Sequence, residues 1–415
     1  MRLRSQFVWT FVIQGSGAVA LLAGIVLIGY AMGPAAQGLF SRIKSEVEFI
    51  AALALFGMPA SVQFYLTSQR LDLRTALRTA FAAGAVAIPI SLVYLLFTRS
   101  GSPLYGALFA LACAAFVVHS ILRVIVLAKS TTVMFNVVTT LPQVVLFGLI
   151  VIAVLLGVMT PDWVGAMFLA SFLLGCALAL WLLPSIHGRP PIEATQARLS
   201  EMISYGAATA VASALNAGST LLWVRHCELS GLAAVGIFTM GLALVQVAVT
   251  PFNYVAPLLF KHWVELPNQP KVKPALLSGL ATFIVIVFAL QLVDLLPASV
   301  SLGSYAQLLD LKWIFAAAAV AEVLVRVPLS AVYAAGRPWL FPMAEAVRIT
   351  ILIGALLIAS DRTMVATVSW WAIAAAAAAA TLLLSVARMG QPPVQSISFP
   401  AMMSAPNQHG EAGPP

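Results

Sequence analysis

The sequence predicts an all-α polytopic membrane protein, with about twelve transmembrane helices in two parallel six-helix lobes. Three observations carry this expectation. The 415 residues are 61% hydrophobic and only 9% charged, where a soluble domain carries roughly 25% charge. The mean hydropathy is +1.00, and its apolar runs have the roughly 20-residue length that spans a bilayer as helix. Finally, "GPAAQGLF" (33–40) returns as "GLAAVGIF" (231–238), so the chain reads as a duplication.

The segments follow in order. Residues 7–31 come after the basic start Arg2 and Arg4. Their run exceeds the roughly 7–15 residues of a signal-peptide core, so they read as a first helix that stays attached. Segments 47–66, 79–98, 104–127, 132–157 and 163–184 complete the first lobe, 1–184. The loop "SIHGRPPIEATQARLSEM" (185–202) reads as a cytoplasmic linker. Segments 203–224, 233–258, 274–296, 308–333, 340–359 and 364–387 form the second lobe, 203–387. From Arg388 to 415 the tail is rich in Pro, Ser and Gly and reads as disordered. None of the segments alternates in the way of barrel strands, and helices satisfy their backbone within one span.

Lys and Arg set the orientation. With the N-terminus inside, 13 of the 22 lie in inner segments, among them Arg70, Arg74, Arg78, Lys129, Arg189 and Lys271, and 5 in outer loops. That asymmetry puts both termini in the cytoplasm. The formal charge is +8, but the basic residues sit singly between apolar runs, which excludes nucleic acid as the partner. The three cysteines show no zinc spacing. No P-loop, HExxH or GxSxG appears in a fitting context, so the chain reads as neither an enzyme nor a cofactor protein.

The duplication has a fixed register. A shift of 198 places Gly33, Ala35, Ala36, Gly38 and Phe40 on Gly231, Ala233, Ala234, Gly236 and Phe238, and Pro59 on Pro257. Six segments separate the copies, so both lobes enter the membrane in the same direction, related by an axis along its normal. Such lobes leave a cleft that rocking exposes to each side alternately. The small residues of both motifs suit tight outer turns. Pro59 and Pro257 are read as kinks beside the cleft, with Pro89, Pro142 and Pro328 as further helix interruptions.

Charges inside the spans are functional candidates by default, because each is costly to insert. Arg326 lies about 12 Å above the inner end of its segment, by helical rise. Glu322 is one turn away on the same face, and Glu345 and Arg348 sit at similar depth in the next segment. These four read either as cleft groups or as an ion-pair network locking two helices. Arg123 is the repeat counterpart of Arg326 and reads as a cleft cation or a snorkelling side chain. His119, on the same face, reads as titratable or simply packed. "RIKSEVE" (42–48) pairs Arg42 with Glu46 and Lys44 with Glu48 at the outer start of the second segment. It reads as an interfacial cap, or as an outer gate or coupling carboxylate.

Residues 198–263, with Tyr205-Gly206 and then Gly231-x-x-Ala234-Val235-Gly236-x-Phe238, resemble the polysaccharide-transporter branch of the multidrug/oligosaccharidyl-lipid/polysaccharide exporter superfamily. "MGPAAQGLF" resembles that branch's "LGPxxxGxF". "AKSTTVMFNVV" and "AAGRPWLFPMAEAV" resemble its short basic turns. Two features depart from it: "STLLWVRH" lacks an Asp common in the family's seventh helix, and no proline follows Tyr205-Gly206.

The resemblance implies an exporter-superfamily fold in a bacterial inner membrane. It also implies a flippase for undecaprenyl-diphosphate-linked oligosaccharides serving O-antigen, capsule or exopolysaccharide synthesis. The lipid-linked glycan and the bilayer are then its partners, with the polymerase and glycosyltransferases as candidates. Arg123, Arg326 and Arg348 become the candidate substrate cations, and Glu322, Glu345, His119, Glu46 and Glu48 the candidate coupling or ion-pair groups. A drug or cation antiporter of the same superfamily and a non-transporting scaffold of glycan assembly stand as alternatives.

Overall fold

The computed structural model describes residues 3–67, 70–98, 102–183, 198–265, 272–294, 305–335, 337–358 and 363–388. Its ordered elements are thirteen α-helices. The first seven are α1 (Leu3–Met32), α2 (Pro34–Leu55), α3 (Met58–Thr67), α4 (Leu73–Thr98), α5 (Pro103–Lys129), α6 (Thr132–Leu156) and α7 (Pro161–Leu182). The rest are α8 (Leu199–Glu228), α9 (Leu232–Glu265), α10 (Val272–Asp294), α11 (Gln307–Ala334), α12 (Leu340–Ile358) and α13 (Met364–Arg388). Among the described residues, nine helices are long and apolar enough to cross a membrane. α2 and α3 pass that test together as a tenth span, bent by 49°. Counting that pair as one leaves twelve helical positions, the number expected.

Short polar caps end the helices. Ser102, Thr131 and Thr160 each precede a helix, and each side-chain oxygen accepts a backbone N–H three residues on. Pro103 and Pro161 fill first helical positions, where no N–H is needed. Pro89, Pro142 and Pro328 lie inside helices, as expected.

Packing repeats with the sequence. In the first lobe α1 packs on α6, α4 on α5, α5 on α7 and α6 on α7. Their counterparts in the second lobe pack alike: α8 on α12, α10 on α11, α11 on α13 and α12 on α13. α2 and α3 pack along α8, and α2 also crosses α9. Below, the end of the bundle holding the start of α1 is called proximal, and the opposite end distal.

Three expectations change. The second span begins at Pro34 rather than 47, so most of "GPAAQGLF" is helix. Only Gly33, at φ 85°, makes the turn, and Gly231, at φ 103°, does the same in the second copy. A positive φ at these two positions is why glycine stands there. The break in the second span falls at Phe56 and Gly57, both left-handed. Pro59 therefore occupies the first turn of α3 instead of kinking a helix, and α9 runs helical through Pro257. Lastly, α8 starts at Leu199, inside the expected linker. The remainder of that linker and the tail from 389 lie outside the described residues.

Candidate functional site: a polar cavity between the lobes

A cavity of about 650 Å³ lies between the two helix groups, walled by α1, α2 and α6 on one side and by α8, α9, α11, α12 and α13 on the other. Helical periodicity builds its walls. Ser213, Asn216, Ala217 and Thr220 recur at i, i+3, i+4 and i+7, which is one face of α8. On α2 the lining residues are Ser41, Lys44, Ser45, Glu48 and Ala52. Adding 198 gives Thr239, Leu242, Ala243, Gln246 and Thr250, which line the cavity from α9. The duplication thus sets the two facing walls residue by residue.

Chemically the walls are mixed, with ten aliphatic residues beside the polar ones. Among the described lining residues, twelve carry a hydroxyl or an amide and Trp371 is the one aromatic. The amides are Gln14, Gln143, Asn216 and Gln246. Gln14 donates to Asn136 Oδ1 at 2.6 Å, which ties α1 to α6 at the wall.

The charges divide unevenly between the lobes. On α2, Lys44 and Glu48 pair at 2.6 Å, but their repeat counterparts on α9 are Leu242 and Gln246. On the opposite wall, Arg348 Nη1 lies 2.6 Å from Glu322 and its Nε 3.3 Å from Glu345. Asn216 donates to Glu345 at 3.3 Å. The Arg348 guanidinium also lies 6.0 Å from the Trp371 ring centroid, within cation–π range. Arg348 and Glu345 are 2% and 1% exposed, so this triad is a buried ion cluster. Arg326, one turn from Glu322, forms no ion pair among the described residues and lines the cavity, partly exposed. Two carboxylates facing two arginines make the cluster neutral overall, with Arg326 as the cation not engaged in pairing.

Other candidates fall elsewhere. Arg123 and His119 are not among the cavity-lining residues. His119 is buried, with Nε2 3.0 Å from the Val138 carbonyl and its ring beside Phe172, so it packs α5 against α6 and α7. The expected mirror of Arg326 by Arg123 therefore does not extend to the cavity wall. Glu46 is buried and does not line the cavity. Helix α2 starts thirteen residues before the expected edge, which places Glu46 about three turns inside the helix, 1% exposed. There it meets Arg225 at 2.7 Å and Arg42 at 3.6 Å.

Sequence reasoning missed Arg225, Glu228, Asn216, Gln246 and Trp371. The 198-residue shift, carried down α2, would have found Gln246. The i, i+3, i+4, i+7 polar face of α8 would have found Asn216.

The fold is that of transporters of the MOP superfamily, and solved structures show it. A MOP superfamily transporter from Pyrococcus furiosus, described by the reversed polarity of its binding pocket, matches with TM-score 0.65 and 14% identity, over 93% of this chain and 94% of that one. A multidrug resistance MATE family transporter in an outward-facing conformation matches with TM-score 0.65 and 14% identity, over 92% and 94%. A Vibrio cholerae MATE transporter matches with TM-score 0.58 and 13% identity, over 92% and 97%. No family model and no curated protein matches the chain.

Proposed function

We propose that this protein is a flippase that moves a lipid-linked oligosaccharide across the bacterial inner membrane by alternating access. Both termini are cytoplasmic in this reading, and the distal end faces outward. One observation carries it: hydroxyls, amides and charges make up 17 of the 28 residues lining the central cavity, beside ten aliphatic side chains and one aromatic, and Arg326, which forms no ion pair among the described residues, stands on its wall. A glycan headgroup is recognised by many hydrogen bonds to hydroxyls and amides. A diphosphate is recognised by a cation, and arginine suits phosphate geometry. Arg348 holds Glu322 and Glu345 in place, and Arg326 makes the contact to the cargo.

The runner-up is a drug or cation antiporter. Its support is the fold shared with the multidrug transporter above and the buried carboxylates Glu322 and Glu345. A site for apolar drugs is lined mainly by apolar and aromatic side chains, which are 11 of the 28 lining residues here.

Deleting the gene and extracting inner-membrane lipids tests the choice. Undecaprenyl-linked repeat units should accumulate, be cleared by the parent protein, and persist with Arg326→Ala. Unchanged lipids together with altered drug tolerance would overturn the flippase in favour of the antiporter.

A further inference from the structure

In the distal half of the bundle the lobes are joined by four charges that do not line the cavity. Arg42 and Glu46 lie one turn apart on α2 and belong to the first lobe; Arg225 and Glu228 end α8 and belong to the second. Two bonds cross between lobes: Arg42 Nη1 to Glu228 Oε1 at 2.5 Å, and Arg225 Nη2 to Glu46 Oε1 at 2.7 Å. Two more stay within a helix, Arg42 with Glu46 at 3.6 Å and Arg225 with Glu228 at 2.7 Å. Each charge therefore touches both opposite charges, and the ring alternates in sign. First-lobe hydroxyls complete it. Arg225 donates to Tyr94 of α4 at 3.1 Å, and Tyr105 of α5 donates to Glu46 at 3.3 Å.

The ring flanks the distal part of the cavity, at the seam between α2 and α8. Ser41, Lys44 and Ser45 line the cavity, and Arg42 and Glu46 occupy the adjoining face of the same two turns of α2. On α8 the last lining residue, Thr220, lies two turns from Glu228. Beyond Ser41 on α2 and Thr220 on α8, no described residue of these two helices nearer the distal end lines the cavity. Beside the ring, Gly38 and Gly236 let α2 and α9 cross at backbone contact.

We propose that the Arg42–Glu46–Arg225–Glu228 ring is a latch that holds the distal side of the cavity shut and must part for the cavity to open there. The inference rests on the alternating-access part of the proposed function and not on the identity of the cargo. Glu46 is buried, but Arg42, Arg225 and Glu228 are partly exposed, which suits a latch. Their ion pairs are strong enough to bias a two-state equilibrium, and water replaces them once the lobes part. An apolar seam of the same area would have to expose its whole surface to open.

The test is thiol accessibility in membrane vesicles. Thr220→Cys places a thiol on the cavity wall, and the three native cysteines, all buried, give the background. A membrane-impermeant maleimide is added to the distal or the proximal face. With the latch intact, distal labelling should be slow. Glu228→Gln and Arg225→Gln should each raise the distal rate by about tenfold, the effect of a ~1.4 kcal/mol population shift. Arg42→Lys, which keeps the cross-lobe charge pair, should stay within about threefold of the parent.

Distal rates unchanged in both glutamine variants would overturn the latch, as would a parent protein labelled equally fast from both faces. If Arg225→Gln does not fold, Glu228→Gln decides alone, because Glu228 is partly exposed and its loss leaves no bond to Tyr94 broken. No substrate enters the assay, so the latch can stand while the glycan reading fails, and the reverse.

Discussion

Gly38 and Gly236 occupy equivalent positions 198 residues apart, and they meet across the seam between the lobes. A Cβ on Gly38 would overlap the Leu232 carbonyl, and a Cβ on Gly236 would overlap the Pro34 carbonyl. Leu232 is itself Pro34 shifted by 198, so the contact is reciprocal about the axis that relates the two lobes. The obstructing atoms are backbone and cannot rotate away. Gly38→Ala and Gly236→Ala should therefore each push α2 and α9 apart, at a cost of about 1–3 kcal/mol for overpacking. Thermal unfolding in detergent would read this as a fall in Tm of similar size for the two variants. A large effect at one glycine and none at the other would count against the reciprocal crossing.

The two cavity arginines should separate by stability. Arg348→Ala leaves Glu322 and Glu345 buried without their cation, which costs about 3–5 kcal/mol and should lower Tm sharply. Arg326 forms no ion pair among the described residues, and Arg326→Ala should leave Tm near the parent's while abolishing clearance of the lipid-linked glycan. Equal losses of stability in the two variants would place Arg326 in the structural cluster and remove it as the cargo contact.

These outcomes also mark what the sequence discloses. Helix number, duplication and the 198-residue register follow from apolar run length and from letters repeated at fixed distance. Both are local, additive signals. The start of α2 did not follow, because "GPAAQGLF" and "RIKSEVE" carry the small and charged residues of a loop. In the fold those small residues permit the α2–α9 crossing, Arg42 and Glu46 face partners on α8, and Lys44 and Glu48 pair on the cavity wall. Neither use is visible from α2 alone. Glu322, Glu345 and Arg348 were legible as a cluster because charge is rare in membrane spans. Which arginine stays unpaired depends on side-chain geometry across three helices. Arg123 and His119 showed the same charge signal, yet neither lines the cavity, since a helix face does not say whether it looks into a lobe or between lobes.

Outside the membrane, Asp72 caps α4 and should give a small acid-sensitive contribution. Its carboxyl is held below the usual carboxylate range by hydrogen bonds from Thr75, the side chain first, and the Thr75 backbone N–H reaches Oδ1 at 2.7 Å. A carboxyl lower in the folded state than in the unfolded one stabilises above its unfolded value. The gain is lost as pH falls through the folded value. Asp72→Asn, which can still cap, should remove this slope while leaving Tm near neutral pH almost unchanged. Asp72→Ala should cost about 1 kcal/mol there. A melting series from neutral to acidic pH checks both, and an unaltered slope in Asp72→Asn would assign the acid sensitivity elsewhere.

The break between α2 and α3 holds a residue in a strained backbone conformation. Phe56 holds φ 45° and ψ 33°, a left-handed conformation that costs a non-glycine residue about 1–2 kcal/mol. Gly57 follows at φ 70°, and α3 then leaves at 49° to α2. The counterpart of Phe56 under the 198-residue shift is Tyr254, inside the continuous α9, so the bend belongs to the first lobe alone. Close packing explains why it persists. Gly57 and Gly206 are in mutual backbone contact, Ser61 donates to the Met202 carbonyl at 2.5 Å, and Arg70 pairs with Glu201 at 3.0 Å. Together these hold α3 on the proximal half of α8 and over-determine the strained residue. Phe56 is itself 53% exposed, so removing its ring loses little packing. Phe56→Gly should relieve the left-handed strain against a chain-entropy loss of about 0.5–1 kcal/mol, leaving Tm equal to the parent's or higher. Phe56→Val, β-branched and poorly tolerated at positive φ, should lower it. The reverse order would mean that the phenyl ring, rather than the α3–α8 seam, holds the bend.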